Sequence, residues 1–211
     1  MTIINIEHMS DYPNKLGFII YKGLEEILGQ EGMKLVLKLA ALPHWADHLP
    51  TQNLDNRYIF KHLSQIQVSL EQLYGTCSGR GLALRSGRAS FNHGLREFSA
   101  MQSLRELEFR LLPLHEKLRT GFELLAQTLN TFSDQIVHIS DETDHFLWRI
   151  EGCPVCRGRK AESPACQLTV GLLQEALFWL SGGKFYNVEE TECIAMGATA
   201  CTFRIDKQPI D

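Results

Sequence analysis

The chain has 211 residues, of which 44% are hydrophobic, and this is enough to bury the core of one domain. Its formal net charge is -4, so it lacks the basic excess that attracts nucleic acid or an anionic membrane by electrostatics. The N-terminus has no signal-peptide pattern, and no uncharged apolar run reaches the roughly eighteen residues of a membrane span. We therefore expect a cytoplasmic protein that is neither secreted nor membrane-spanning, with a peripheral position at a membrane left open.

The N-terminal third is predicted to be helical. Apolar residues between 15 and 42 recur at the spacing of one helix face, and Gly29 and Gly32 are expected to split this segment into two helices. Prolines bracket residues 43–50, which favours a loop carrying Trp45 because proline removes a backbone donor and restricts its predecessor.

Two further segments carry the helical pattern. Residues 58–74 predict one helix, and Gly75 follows where a helix-terminating residue is wanted. Residues 94–132 predict long helices, with Pro113 marking a break.

Between these helices lies a glycine-rich stretch, residues 77–95, that contains Arg80, Arg85 and Arg88. It lacks the GxGxxG spacing of a dinucleotide-binding loop. We therefore predict a turn between helices, with the arginines pairing local carboxylates or meeting a carboxylate on a ligand at the mouth of a pocket.

The pattern changes to strands after residue 134. Residues 136–140 and 146–150 alternate with a period of two around a polar turn, which predicts a hairpin. Residues 168–180 are apolar nearly all round, as in a buried helix, and residues 185–197 and 201–208 complete the chain as two more strands. The predicted fold is α/β (α+β), with helices packed on an antiparallel sheet; residues 1–130 form its helical part and residues 131–211 its strand-helix-strand core.

Five of the six cysteines lie in the last 59 residues, beside three glutamates that precede Cys193. Zinc prefers thiolate sulfur and accepts carboxylate oxygen, so the cluster predicts a zinc site. Glu190, Cys193 and Cys201 converge if two strands meet at a tight turn, and Cys166 at the start of the buried helix is available as the fourth ligand. A set using Cys153 or Cys156, a redox role for that CPVC pair, and plain buried thiols remain alternatives.

The C-terminal part, from CPVCRGRKAESPAC onward, resembles the 4-vinyl reductase domain over about residues 130–206. That family ends in a glutamate three residues before a cysteine, then a glycine-containing turn and Cys-x-Phe. The positions that fill this pattern are Glu190, Cys193, Gly197, Cys201 and Phe203. In similar sensor domains of aromatic-responsive activators, one Cys, one Glu and two Cys bind zinc, and this implies Cys166, Glu190, Cys193 and Cys201 as ligands.

The resemblance also implies a function. The family shares its fold with vesicle-tethering subunits, often dimerises, and is associated with chlorophyll biosynthesis, photosystem assembly or the sensing of hydrophobic molecules. We expect a zinc-stabilised domain that binds a hydrophobic small molecule such as a tetrapyrrole, as a carrier or an assembly factor with photosynthetic partners. The candidate ligand-binding residues are Trp148, Trp179, Phe178 and Phe91, although aromatic residues at such spacing are also typical of plain core.

Two other functions stay open. An enzyme that reduces the vinyl group of a chlorophyll precursor needs a bound reductant, and neither a nucleotide fingerprint nor an iron–sulfur spacing supplies one. A protein-interaction scaffold or an aromatic sensor is the other alternative. His115 and His145 are expected to make ordinary hydrogen bonds and not to bind a ligand.

Overall fold

The computed structural model describes residues 11–45, 52–54 and 56–210. Its helices are α1 (Asn14–Leu39), α2 (Phe60–Tyr74), α3 (Thr76–Glu97), α4 (Leu107–Arg110), α5 (Leu114–Phe132) and α6 (Gln167–Ser181). Its strands are β1 (Asp11–Pro13), β2 (Asn56–Ile59), β3 (Ile136–Asp141), β4 (His145–Glu151), β5 (Tyr186–Glu192) and β6 (Cys201–Pro209). In this part of the chain, no helix is long and apolar enough to cross a bilayer.

The main sheet is antiparallel, with the strand order β3-β4-β6-β5. Its central pair alternates as predicted: Phe146, Trp148 and Ile150 of β4 are buried on the side of the helices, and Trp148 lies opposite Phe203 of β6. Helix α5 is fixed to the sheet edge because the Asn130 side chain exchanges two hydrogen bonds with the backbone of Val137, at 2.9 and 2.7 Å. The predicted α+β architecture is confirmed.

Helix α1 has the predicted break at Gly29, whose φ of 68° is non-helical, but it continues through Gly32. The loop after it begins with a 3-10 turn at Pro43–Trp45, and residues 46–50 lie outside the described residues. Helix α2 begins two residues later than predicted because residues 56–59 pair with β1 as a short strand. Pro113 precedes α5, as expected of a helix break.

The glycine-rich stretch is the main error of the sequence prediction. It is not a turn: residues 77–95 form nearly all of α3, a helix of 22 residues. The reason is close packing: an ideal Cβ on Gly87 would lie 2.0 Å from the carbonyl oxygen of Leu168, and one on Gly171 would lie 1.9 Å from that of Leu84. The backbones of α3 and α6 therefore touch, and this contact compensates for the low helix propensity of glycine.

This close crossing predicts a strong asymmetry between two glycine substitutions. Gly171→Ala forces the two backbones apart, so we expect it to lower the free energy of unfolding by about 1–3 kcal/mol. Gly81→Ala, on the exposed side of α3 where nothing lies within 4 Å of an added Cβ, should instead raise it by up to about 1 kcal/mol. Urea unfolding of both variants checks this, and a Gly171→Ala protein as stable as the wild type contradicts the packing argument.

Candidate metal centre and apolar cavity

Five side chains that can bind a metal converge at one end of the sheet. These are Cys156, Cys166, Glu190, Cys193 and Cys201, whose donor atoms all lie within 4.8 Å of one another and which are all buried. The structure thus brings together the four predicted residues and adds Cys156. Cys153, the other cysteine of the CPVC pair, lies beside this group and is not part of it.

Local structure explains the convergence. Glu190 lies in β5 and Cys193 just beyond its end, while Cys201 opens β6 after a tight turn in which Gly197 has a φ of 99°. Cys166 immediately precedes α6. Cys156 comes from the turn that follows β4, where its backbone N–H donates to the carbonyl of Cys153 at 3.2 Å.

The distances between the sulfurs match the size of a zinc site. The Sγ atom of Cys156 lies 3.1 Å from that of Cys166, 3.4 Å from that of Cys193 and 3.6 Å from that of Cys201. The Sγ atoms of Cys166 and Cys201 are also 3.6 Å apart. A tetrahedral zinc ion with Zn–S bonds of about 2.3 Å holds its sulfurs about 3.8 Å apart. Only a small outward shift of the thiols would admit the ion.

The hydrogen bonds of Glu190 also fit a metal at this position. Its Oε2 atom accepts a hydrogen bond of 2.7 Å from the backbone N–H of Cys166. Its Oε1 atom is buried and has no hydrogen-bond partner among the described residues. Because an unpaired buried carboxylate oxygen is costly, this atom calls for a further partner, and a metal cation would provide one.

The pKa values of two of the thiols are shifted in opposite directions. Hydrogen bonds with Cys153 and Cys166 lower the pKa of the Cys156 thiol, whereas hydrogen bonds with Cys153 and Cys156, together with burial, raise the pKa of Cys166. The backbone N–H of Ile194 donates to the Sγ atom of Cys201 at 3.3 Å. Such N–H donors orient and stabilise thiolate ligands around a metal.

The cysteine-bearing segment between β4 and α6 is tied to α2 and α3 by a partly buried ionic network. The side chain of Arg159 is only 5% exposed and contacts the Glu71 carboxylate, which also lies 3.4 Å from Nε of Arg80. Arg80 further donates to Ser163 at 2.7 Å. The prediction that α3 arginines pair local carboxylates is therefore confirmed for Arg80, while Arg88 donates to the amide oxygen of Gln174.

We call Cys156, Cys166, Glu190, Cys193 and Cys201 the metal cluster, after the ion that they could bind. Beside it lies an apolar cavity of about 80 Å³ between α1, α3, α5, α6 and the sheet. Trp148 and Phe91 line it, as do Pro154 and Val155 of the CPVC turn and Leu168 and Thr169 of α6. Its remaining lining residues are Leu16, Ile19, Ile20, Leu63, Ser90, Gly94, Leu95, Phe98, Met101, Leu125, Thr128, Leu129, Gln135, Ile150 and Leu172. No charged side chain is among these described residues, so the arginines of α3 do not form its mouth as we had predicted.

One residue that lines the cavity has a buried polar atom without a partner. Trp148 is 1% exposed, and its Nε1 donor has no hydrogen-bond acceptor in the described part of the chain. The two other predicted aromatic residues lie elsewhere: Trp179 lines a separate groove with Arg105 and Lys117, and Phe178 packs on Phe185 with their ring centroids 5.0 Å apart.

Several lining residues had not been identified from the sequence. Phe98, Met101, Pro154 and Val155 are apolar, and in a helical or turn pattern such residues are indistinguishable from ordinary core. The position of Pro154 and Val155 inside a CxxC pair was the one available signal.

The two histidines make ordinary polar contacts. The Nε2 atom of His115 lies 3.3 Å from a carboxylate oxygen of Asp141, and the Nδ1 atom of His145 lies 2.6 Å from one of Asp144.

Comparison with known proteins supports the predicted family over part of the chain and the predicted fold class. Residues 147–207 match the family model of the 4-vinyl reductase domain, which confirms the resemblance to that family in this part of the chain. A search of curated proteins gives no match.

Among solved structures, the chain is similar to H-NOX proteins. A point mutant of the T. tengcongensis H-NOX aligns with a TM-score of 0.60 and 16% identity, covering 93% of this chain and 97% of that one. An S. oneidensis H-NOX in the Fe(II)NO ligation state gives 0.54 and 16%, covering 90% and 98%. An H-NOX structure concerned with heme distortion gives 0.59 and 16%, covering 95% and 97%. At these identities the likeness establishes the fold alone.

The cluster predicts distinct effects for three cysteine substitutions. Cys193→Ser and Cys201→Ser should each lose bound zinc and lower the free energy of unfolding by more than about 3 kcal/mol, because a structural metal contributes directly to folding. Cys77→Ser, at an exposed thiol outside the cluster, should change neither. Elemental analysis of chelator-free protein and urea unfolding check this, and equal tolerance at all three positions contradicts it.

The ionic network gives a separate prediction. Glu71→Gln leaves the Arg159 guanidinium without its carboxylate partner and should lower the free energy of unfolding by about 2 kcal/mol. The matched control is Glu123→Gln, which removes an exposed pair with Arg119 and should cost less than about 0.5 kcal/mol. Equal losses in the two variants would show that the network does not anchor the cysteine-bearing segment.

Proposed function

We propose that this chain, whose residues 147–207 match the 4-vinyl reductase domain, is a small-molecule-binding sensor domain in which zinc stabilises the wall of an apolar ligand cavity. The observation that carries the proposal is the contact between the two sites. Cys156 and Cys166 belong to the metal cluster, while Val155 and Leu168, one and two residues from them, line the cavity. A metal at the cluster would therefore hold two walls of the cavity in place.

The zinc site is proposed at the group formed by Cys156, Cys166, Glu190, Cys193 and Cys201, which offers one donor more than the four that a tetrahedral ion takes; Cys166, Glu190, Cys193 and Cys201 are the ligands predicted from the sequence. Four protein ligands close a tetrahedral site and leave no position for a substrate. Its role is then structural, which favours binding of the ligand over its conversion and ranks the reductase second. A CPVC redox function ranks lower because Cys156 lies among four other donors.

The ligand is proposed to be a neutral ring-bearing molecule. An engineered apolar cavity of about 150 Å³ binds benzene, so a cavity of about 80 Å³ must widen to nearly twice its volume to accept one ring. The lining offers no charge to an ionised group, but the unpaired Nε1 of Trp148 can donate to one acceptor atom on the ring. Anisole, a single ring with one ether oxygen, is therefore a suitable probe.

A tetrapyrrole is the second candidate, favoured by the likeness to H-NOX structures, one of which concerns heme distortion. It requires a much larger opening, and the described lining includes no histidine, cysteine or tyrosine to ligate its metal. The chlorophyll-carrier and photosystem-assembly roles depend on this candidate. The homodimer is likewise proposed from the family resemblance, and light scattering that gives about 24 kDa would reject it.

Titration with anisole, toluene and protoporphyrin, followed by tryptophan fluorescence, tests the function. We expect saturable binding of anisole, with the ligand recovered unchanged by mass spectrometry. Trp148→Phe keeps an aromatic side chain but removes the donor, so it should weaken anisole binding about fivefold relative to toluene binding. Because this variant lacks the tryptophan of the cavity, its affinities are measured by calorimetry.

The control is Trp179→Phe, which should leave both affinities unchanged because Trp179 lies outside the cavity. Binding of protoporphyrin but of neither single-ring probe would favour the tetrapyrrole candidate. Binding of none of the three, or a reduced vinyl group in recovered protoporphyrin, would overturn the proposal.

A further inference from the structure

The CPVC turn belongs to both sites at once. Pro154 and Val155 line the cavity, and the next residue, Cys156, places its sulfur among the metal-binding atoms. The cluster holds five donors, whereas a tetrahedral zinc ion takes four. One donor is therefore in excess, and the identity of the fourth ligand decides whether this turn is attached to the metal.

The contacts favour Cys156 over Glu190 as that ligand. The Sγ atom of Cys156 lies 3.1–3.6 Å from the sulfurs of Cys166, Cys193 and Cys201, close to the sulfur–sulfur separation of about 3.8 Å in a tetrahedral zinc site. One carboxylate oxygen of Glu190 is instead held at 2.7 Å by the backbone N–H of Cys166. Zinc also prefers thiolate to carboxylate where both are available.

We propose that Cys156 is the fourth zinc ligand and that, through Val155, it couples zinc binding to occupancy of the apolar cavity. Glu190 then acts as a positioning residue: one carboxylate oxygen orients Cys166 through its backbone, and the positive charge of a cation held by the four sulfurs would compensate the carboxylate without a direct bond. The coupling rests on the proposed ligand-binding function, whereas the assignment of Cys156 does not.

The direction of the coupling follows from the packing. A molecule in the cavity fills the space beside Val155 and restricts the CPVC turn, so the Cys156 sulfur leaves the metal less readily. Because linkage is reciprocal, zinc must strengthen ligand binding by the same factor by which the ligand strengthens zinc binding. Zinc exchanges thiolate ligands without any change of oxidation state, so no redox partner is required.

Cobalt substitution tests the assignment, because each thiolate bound to Co²⁺ contributes to the sulfur-to-metal charge-transfer absorbance. Cys156→Ser should lose about a quarter of that absorbance, whereas Glu190→Gln should keep it. Cys153→Ser is the matched control from the same turn and should keep the full absorbance. If Cys156→Ser does not fold, Cys156→His retains a ligand and should show the same loss of one sulfur. An unchanged absorbance in the Cys156 variants, or the loss of bound cobalt in Glu190→Gln alone, overturns the assignment.

Zinc transfer from the full chain to a chromogenic chelator tests the coupling. Saturating anisole should slow the transfer about tenfold in the wild type. Val155→Ala should reduce this effect without changing the zinc content, and Trp179→Phe should leave it intact. Bound anisole with an unchanged transfer rate overturns the coupling and leaves the proposed function standing. Absence of anisole binding overturns the proposed function and the coupling together, while the cobalt spectra still decide the role of Cys156.

Discussion

The contact between the backbones of α3 and α6 is the constraint on which the rest of the structure depends. Gly87 and Gly171 leave no room for side chains where the helices cross, so the position of α6 is fixed relative to the helical layer. Helix α6 in turn presents Cys166 at its start to the metal cluster, and Leu168 and Leu172 to the cavity. Any movement of this crossing would displace both sites together.

The metal cluster and the cavity lie side by side but differ in chemical character. A buried carboxylate is unfavourable in an apolar interior unless its oxygens have partners, and Oε1 of Glu190 has none among the described residues. A cation held by the neighbouring thiolates would compensate its charge. The cavity has the opposite character, since its lining is almost entirely apolar and its unpaired polar atom is Nε1 of Trp148. Because the two sites share the CPVC turn and the start of α6, a metal bound by the cysteines would support the wall of the cavity.

The sequence predicted what depends on local pattern. Alternation in β4 placed Phe146 and Trp148 on one face, and the spacing from Glu190 to Cys201 indicated donors that meet across a hairpin. What it could not predict depends on contacts between distant segments. Glycines such as Gly87 favour turns by propensity, and only the backbone of α6 against them explains a helix there. Likewise, a cavity is space left among apolar residues, and no residue of its wall differs in type from core.

The most direct test of the account is a crystal structure of the protein purified without chelator, grown with anisole and measured at the zinc absorption edge. The expected result is one anomalous peak bonded at about 2.3 Å to the sulfurs of Cys156, Cys166, Cys193 and Cys201, and anisole density beside Trp148 and Val155. The absence of an anomalous peak at the cluster, or anisole bound only outside this cavity, would contradict it.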